Sequence, residues 1–150
     1  MDYLVKLYEN AFLDSSSATL PFAIRKPIGP EKAAVMRWIT THFNEHWASE
    51  AEVAMLSGNS LFIAVDGTRL LGFACFDGTV KGFFGPLGVD SAARGQGVGE
   101  ALVKSALIAM RLEGYAYAVI PTSSQQYYQR FLELIEIPGS QFGIYRDMLT

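Results

Sequence analysis

The stretch from Val80 to Ile120 constrains this chain more than any other part of it. Gly97 to Glu113 repeats apolar residues around nearly the whole circumference of a helix, leaving only Glu100, Lys104 and Arg111 as a charged stripe on one face. Such a helix must be mostly buried. Gly114 ends it, and Tyr115 to Ile120 follows as an uninterrupted apolar strand of the kind found inside a sheet. A strand, a helix and a second strand in succession predict a right-handed crossover to a parallel neighbour, hence a mixed α/β sheet with helices packed against it.

Upstream of the crossover the pattern is that of an antiparallel meander. Strands are expected at Leu61 to Val65, Leu70 to Phe76 and Val80 to Val89, closed by Asp66-Gly67 and Asp77-Gly78, dipeptides that accept positive φ in tight hairpins. Gly85-Pro86 interrupts the third strand. Proline cannot donate to a ladder, so the pair predicts a bulge or a point where this strand leaves its neighbour. Before the meander, Tyr3 to Tyr8 reads as a short strand or an N-terminal helical turn, with Tyr, Leu and Val favouring the strand, Asp14 to Pro21 as a loop and Phe22 to Lys26 as a strand. Gly29-Pro30-Glu31 opens a helix that places Val35, Ile39 and Phe43 on one face, and a second helix is expected over Asn44 to Met55. After the crossover come a short helix from Ser124 to about Leu134 and a closing strand pair around Ile135 and Ile144 to Met148.

A length of 150 residues predicts one domain over 1–150, and 50% hydrophobic content with 10 Phe and 7 Tyr separates the chain from disordered ones. The longest uncharged run, Tyr115 to Gln129, turns polar at Pro121, so no membrane-spanning helix is expected, and Met1 to Asn10 lacks the apolar segment of a signal peptide. Cys75 is alone, which excludes an internal disulfide or a thiol-based zinc site and suits a cytoplasmic, metal-free protein. With 12 basic and 15 acidic residues the net charge of −3 offers no electrostatic footprint for nucleic acid.

Anion chemistry must therefore come from local geometry, and Leu87-Gly88-Val89-Asp90-Ser91-Ala92-Ala93-Arg94-Gly95-Gln96-Gly97-Val98-Gly99 supplies it. The first turn of a helix leaves backbone N–H groups without internal partners, and glycines there admit a bulky anion such as a pyrophosphate. Arg94 adds charge beside the positive end of the helix dipole. Two other phosphate motifs fail. The dinucleotide fingerprint started at Gly95 meets Glu100 at its third glycine position, and Walker A has only Lys104-Ser105, after Val103 in mid-helix.

Arg94-Gly95-Gln96-Gly97-Val98-Gly99 resembles the acyl-CoA pyrophosphate loop of the GNAT superfamily of N-acetyltransferases, and Leu87-Gly88-Val89-Asp90 resembles the strand ending before it. The order of elements from Phe22 onward is similar as well. The resemblance implies acetyl-CoA as co-substrate, with Leu87, Gly88 and Val89 presenting backbone groups to the acyl carbonyl and pantetheine and Gly95, Gln96, Gly97, Val98, Gly99 and Glu100 surrounding the pyrophosphate. In Tyr127-Tyr128 it places Tyr128 at the general-acid position, with Tyr127 turned about 100° away along the helix. Phe131-Leu132-Glu133-Leu134 stands where the family commonly has Gly-Phe, and Pro121 where it often has Asn. The third meander strand carries no Glu, so candidates for the acceptor side come from the two-helix region: His42, Glu45, His46, Glu50 and Glu52. Two activities remain open at this point: acetyl transfer to a primary amine of a small molecule or peptide, and non-catalytic sensing of acyl-CoA, with a homodimer left open in either. Cys75, flanked by Ala74 and Phe76, reads as a core residue and not as a nucleophile.

Overall fold

A computed structural model describes every residue from Met1 to Thr150. In chain order its elements are β1 (Asp2–Lys6), α1 (Ala11–Asp14), β2 (Ala23–Arg25), α2 (Lys32–His42), α3 (Glu45–Leu56), β3 (Leu61–Asp66), β4 (Arg69–Phe76), β5 (Phe84–Val89), α4 (Val98–Leu112), β6 (Tyr117–Pro121), α5 (Gln125–Gln129) and β7 (Ile135–Glu136). Short 3₁₀ turns at Gly29–Glu31, Ser91–Ala93 and Gly143–Tyr145 join them.

The strands form two antiparallel sheets, β2-β3-β4-β5 and β6-β1-β7. In β4 the two-residue period sends Phe73 and Cys75 to one face and Ala74 and Phe76 to the other. Both faces are covered, which is why the strand is apolar at every one of these positions. On one side α2 and α3 bring Val35, Ile39, Ala48, Ala51 and Ala54 against Leu61, Ile63, Phe73 and Cys75. The three alanines of α3 recur every third residue and allow that helix to lie close to the sheet. Its start is capped by Asn44, whose Oδ1 accepts from the Trp47 N–H at 2.8 Å.

On the other side lies α4, burying Val98, Leu102, Val103, Ala106, Leu107 and Met110 as the sequence pattern predicts. Its charged stripe is used too. Lys104 Nζ donates to the Ser15 carbonyl at 2.8 Å, and Arg111 donates to Asp14 Oδ1 at 2.8 Å and to the Leu7 carbonyl at 3.3 Å. The stripe thereby fastens the Asp14–Ser15 region to the outer face of the helix.

Four expectations are corrected. The crossover does place β6 alongside β5 in parallel, but their ladder is one bridge, Phe83 to Val119, with Val119 N donating to the Gly82 carbonyl at 2.9 Å. The full partner of β6 is β1, antiparallel, through Tyr3–Ile120, Leu4–Val119 and Val5–Ala118. The other edge of β1 pairs with β7, and Ile144–Met148 is not a strand but begins within the 3₁₀ turn Gly143–Tyr145. The third meander strand begins only at Phe84 because the Asp77 carboxylate accepts from the Gly82 N–H at 2.7 Å and organises the preceding residues into a loop. Similarly, the first hairpin closes on Gly67-Thr68, since Asp66 pairs with Arg69.

The immediate continuation of β1 is Leu7, fully buried and bonded through its N–H to the Ala116 carbonyl at 2.9 Å. Leu7→Ala should cost about 2–5 kcal/mol in denaturant unfolding, whereas Leu149→Ala, at a residue 93% exposed, should change stability by less than about 0.5 kcal/mol. Equal effects would contradict the placement of this N-terminal segment in the core.

Candidate active site

Beyond the Phe83–Val119 bridge β5 and β6 part, and the edge of β5 from Gly85 to Val89 pairs only with β4. The register of β5 on β4 shifts between Ala74 and Phe76, opposite Gly85-Pro86, as the missing proline donor led us to expect. The gap opens into a cavity of about 900 Å³. Leu87, Gly88 and Val89 line it, as do Arg94, Gly95, Gly97, Val98, Gly99 and Glu100, and Tyr128 and Glu50 are among the other lining residues. Of the residues read as cofactor-binding from sequence, Gln96 alone does not line it.

At the start of α4 the first helical bond is from Ala101 N to the Gly97 carbonyl at 3.1 Å. The amides of Val98, Gly99 and Glu100 have no acceptor in the chain, and they lie at the positive end of a 15-residue helix, where free amides can receive an anion. Gly97 and Gly99 serve it differently. Gly97 has φ +81°, a left-handed conformation that L side chains rarely adopt. Gly99 is helical, and the hydroxyl of Tyr127 occupies the space into which a Cβ at that position would project.

Tyr127 is thus not directed away from the site, contrary to the simple helical-wheel expectation. It lines the cavity beside Tyr128, their rings edge to face with centroids 5.1 Å apart, and Arg130 lies over the Tyr127 ring at 5.5 Å. Five residues of α5 are too few for wheel angles to decide which side chains face the ligand. Tyr128 is 7% exposed and packs edge-on against Phe84 at 6.2 Å. Burial raises the pKa of its hydroxyl above the ordinary phenol value, and that of Tyr127 is raised for the same reason. Both remain protonated at neutral pH. The Tyr128 hydroxyl makes no hydrogen bond within the chain, so its proton is free for a group in the cavity.

The acceptor-side candidates separate cleanly. His42 lies outside the cavity, its ring stacked on Trp38 at 4.2 Å, its Nδ1 bonded to the Trp38 carbonyl at 2.9 Å and its Nε2 3.9 Å from Asp90. Glu45 and His46 are exposed on the first turn of α3 and do not reach the cavity either. Glu52 pairs with Lys32 at 3.4 Å. Glu50 does line the cavity, together with residues that sequence reasoning missed: Phe43, Trp47, Arg130 and Tyr145. Trp47 and Glu50 are three apart on α3, a spacing that could have singled them out; Tyr145 arrives from a tail whose path no local pattern encodes. Cys75 is buried in the core as expected, its Sγ 3.4 Å from the Gly85 carbonyl, and burial pushes the thiol pKa far up. No helix is long and apolar enough to cross a membrane.

The sequence model of the acetyltransferase (GNAT) family matches residues 32–133, two-thirds of the chain. No curated protein matches it significantly. Among solved structures, the glucosamine N-acetyltransferase region of a fungal multi-domain β-N-acetylglucosaminidase superposes with a TM-score of 0.69 at 14% identity over 89% of this chain and 19% of that one. A GNAT acetyltransferase from Brucella melitensis in complex with acetyl-CoA gives 0.59 at 23% identity over 73% of this chain and 80% of that one. The Escherichia coli GNAT N-acetyltransferase in complex with CoA gives 0.61 at 22% identity over 78% and 71%. This chain therefore spans about a fifth of the first protein and most of the other two, and at these identities the likeness is one of fold.

The contact between Gly99 and the Tyr127 hydroxyl makes a measurable coupling. Gly99→Ala should destabilise less in a Tyr127→Phe background, with a double-mutant-cycle energy of about 0.5–2 kcal/mol from thermal or denaturant unfolding. Strict additivity would mean the two residues do not touch.

Proposed function

The chain belongs to the acetyltransferase (GNAT) family, and we propose that it transfers the acetyl group of acetyl-CoA directly to an amine held in the same cavity. The observation that carries this reading is the convergence on one cavity of three features: the free amides of α4, the unpaired edge of β5 and the protonated hydroxyl of Tyr128. In this reading the amides of Val98, Gly99 and Glu100 hold the pyrophosphate, with Gly95 and Gly97 shaping the loop and Arg94 and Arg130 adding positive charge. Gln96 belongs to the same loop and contributes through its shape. The backbone of Leu87, Gly88 and Val89 offers the edge on which an amide-bearing pantetheine arm can pair as an added strand would.

When bound, acetyl-CoA supplies an acetyl thioester with an electrophilic carbonyl carbon and a thiolate leaving group. The chain's own tasks are to hold the amine near that carbon, exclude water and return a proton to sulfur. Tyr128 carries out the last: as the C–N bond forms and the C–S bond breaks, the nitrogen gives up a proton to solvent, the Tyr128 O–H bond breaks as the S–H bond forms, and solvent restores the phenol. Its raised pKa makes it a weak but always loaded acid. The acidic balance of the chain suits a positively charged acceptor, and Glu50 is the one acceptor-side candidate from the sequence that reaches the cavity.

Three outcomes are expected. Arg94→Gln should weaken CoA binding in calorimetry, and the loss should shrink as salt rises, because Arg94 is exposed and screening acts within about 8 Å at physiological ionic strength; a salt-independent loss would make Arg94 structural. Tyr128→Phe should leave CoA affinity and melting temperature unchanged but lower the rate of thiol release by about 10²- to 10⁴-fold. CoA binding without thiol release on any amine would instead favour an acyl-CoA sensor. The third concerns pH. Since the folded-state pKa of Tyr128 is raised, the acid stays loaded as pH climbs through the ordinary phenol value of about 10. The kcat profile should show no alkaline fall below that pH, and a fall centred near pH 8 would identify a different acid.

A further inference from the structure

Glu50 is a half-buried carboxylate without a cationic partner. None of the five ion pairs in the chain includes it, and the only other carboxylate on the cavity wall, Glu100, belongs to the first turn of α4. Its two oxygens are used unequally. Oε1 accepts from the Thr79 hydroxyl at 2.8 Å and from the Tyr145 hydroxyl at 2.9 Å, whereas Oε2 accepts from nothing in the chain. Both donors come from segments with contacts of their own to the rest of the fold. The loop carrying Thr79 lies directly on α3, where a Cβ at Gly78 would come within 2.5 Å of the Glu50 carbonyl oxygen. The tail carrying Tyr145 is tied to β1: Ile137 N donates to the Asp2 carbonyl at 2.9 Å, and Asp2 N donates to Ser140 Oγ at 2.9 Å. Trp47, three residues before Glu50 on α3, and Phe43 also line the cavity, their rings 5.0 Å apart.

Resting on the acetyl-transfer reading, we propose that Glu50, oriented by Thr79 and Tyr145, anchors the ammonium group of an acceptor that is a small monoamine with an apolar or aromatic body, and that this nitrogen loses a proton to solvent before it attacks. One free carboxylate oxygen against two aromatic rings matches one ammonium group and an apolar substituent. A polyamine would bring a second charge to a wall that has no second carboxylate outside the phosphate end, and burying it unpaired is costly. An amino sugar would lay hydroxyls against Trp47 and Phe43, which offer them no hydrogen bonds at their faces. Tyr145 is a positioning residue here: burial and the neighbouring Glu50 raise its hydroxyl to about 12, so it stays a donor to the carboxylate at any pH where the enzyme works.

Calorimetric titration of CoA-saturated protein tests this with four probes: phenethylamine, its neutral isostere phenethyl alcohol, spermidine and glucosamine. Wild-type protein should bind phenethylamine at least about 10-fold more tightly than each of the others, a difference of about 1.4 kcal/mol. Glu50→Gln should erase the preference for the amine over the alcohol. Tyr145→Phe should weaken phenethylamine about 3- to 10-fold and leave the alcohol unchanged, which a purely structural role would not do; CoA affinity and melting temperature should be those of wild type in both variants. The proposal is overturned if wild type does not distinguish amine from alcohol, if no amine binds, if Glu50→Gln keeps the preference, or if spermidine or glucosamine binds most tightly. Failure of CoA to load would count against the acetyl-transfer reading instead, and the same probes titrated onto the CoA-free protein would still decide the amine preference.

Discussion

Everything of functional interest in this molecule depends on two strands that start side by side and fail to stay together. Phe83 and Val119 form one bridge, and past it β5 keeps only β4 while β6 keeps only β1. An unpaired strand edge inside a folded chain is normally a liability, since its N–H and C=O groups must find partners. Here the edge faces a cavity of about 900 Å³, so the unmet demand becomes binding capacity for an extended ligand with amide groups of its own. The proline at position 86 contributes by lacking a donor at the point of divergence.

The helix α4 joins stability and binding in one element. Its apolar flank forms much of the larger core, so its axis is fixed by packing, and its N-terminal amides are fixed with it. Rigid donors aimed into a cavity lose little entropy when an anion arrives. Gly99 allows Tyr127 to close over the first turn of the helix, which brings α5, and with it Tyr128, to the same cavity. One small residue on α4 thereby governs the distance between the free amides of the helix and the Tyr128 hydroxyl.

Much of this was legible in the sequence, and for identifiable reasons. The meander, the glycine loop and α4 are local patterns: period-two alternation, turn dipeptides, and a helix apolar almost all round. Loop and helix order carry a family's signature, which is what singled out Tyr128 and the Arg94–Glu100 loop, and all of these but Gln96 line one cavity. Pairing between distant segments was not legible. Nothing in Asp2–Lys6 states that it inserts between β6 and β7, and nothing in the tail states that it turns at Gly143–Tyr145 and delivers Tyr145 to Glu50. For the same reason the acceptor side was only partly read. His42, Glu45 and His46 share the right helices with Glu50, and only the helix orientation against β4 and β5 separates the one that reaches the cavity from those that do not.

The central claim is that CoA lies in the gap between β5 and β6 with its pyrophosphate on the first turn of α4. Backbone amide NMR during a CoA titration tests it most directly. The account predicts that the largest shifts fall on Val98, Gly99 and Glu100, with a second group at Leu87, Gly88 and Val89. Shifts centred instead on the small depression formed by Lys6, Asn10, Phe12 and Glu133, or no saturable shifts at all, would contradict it.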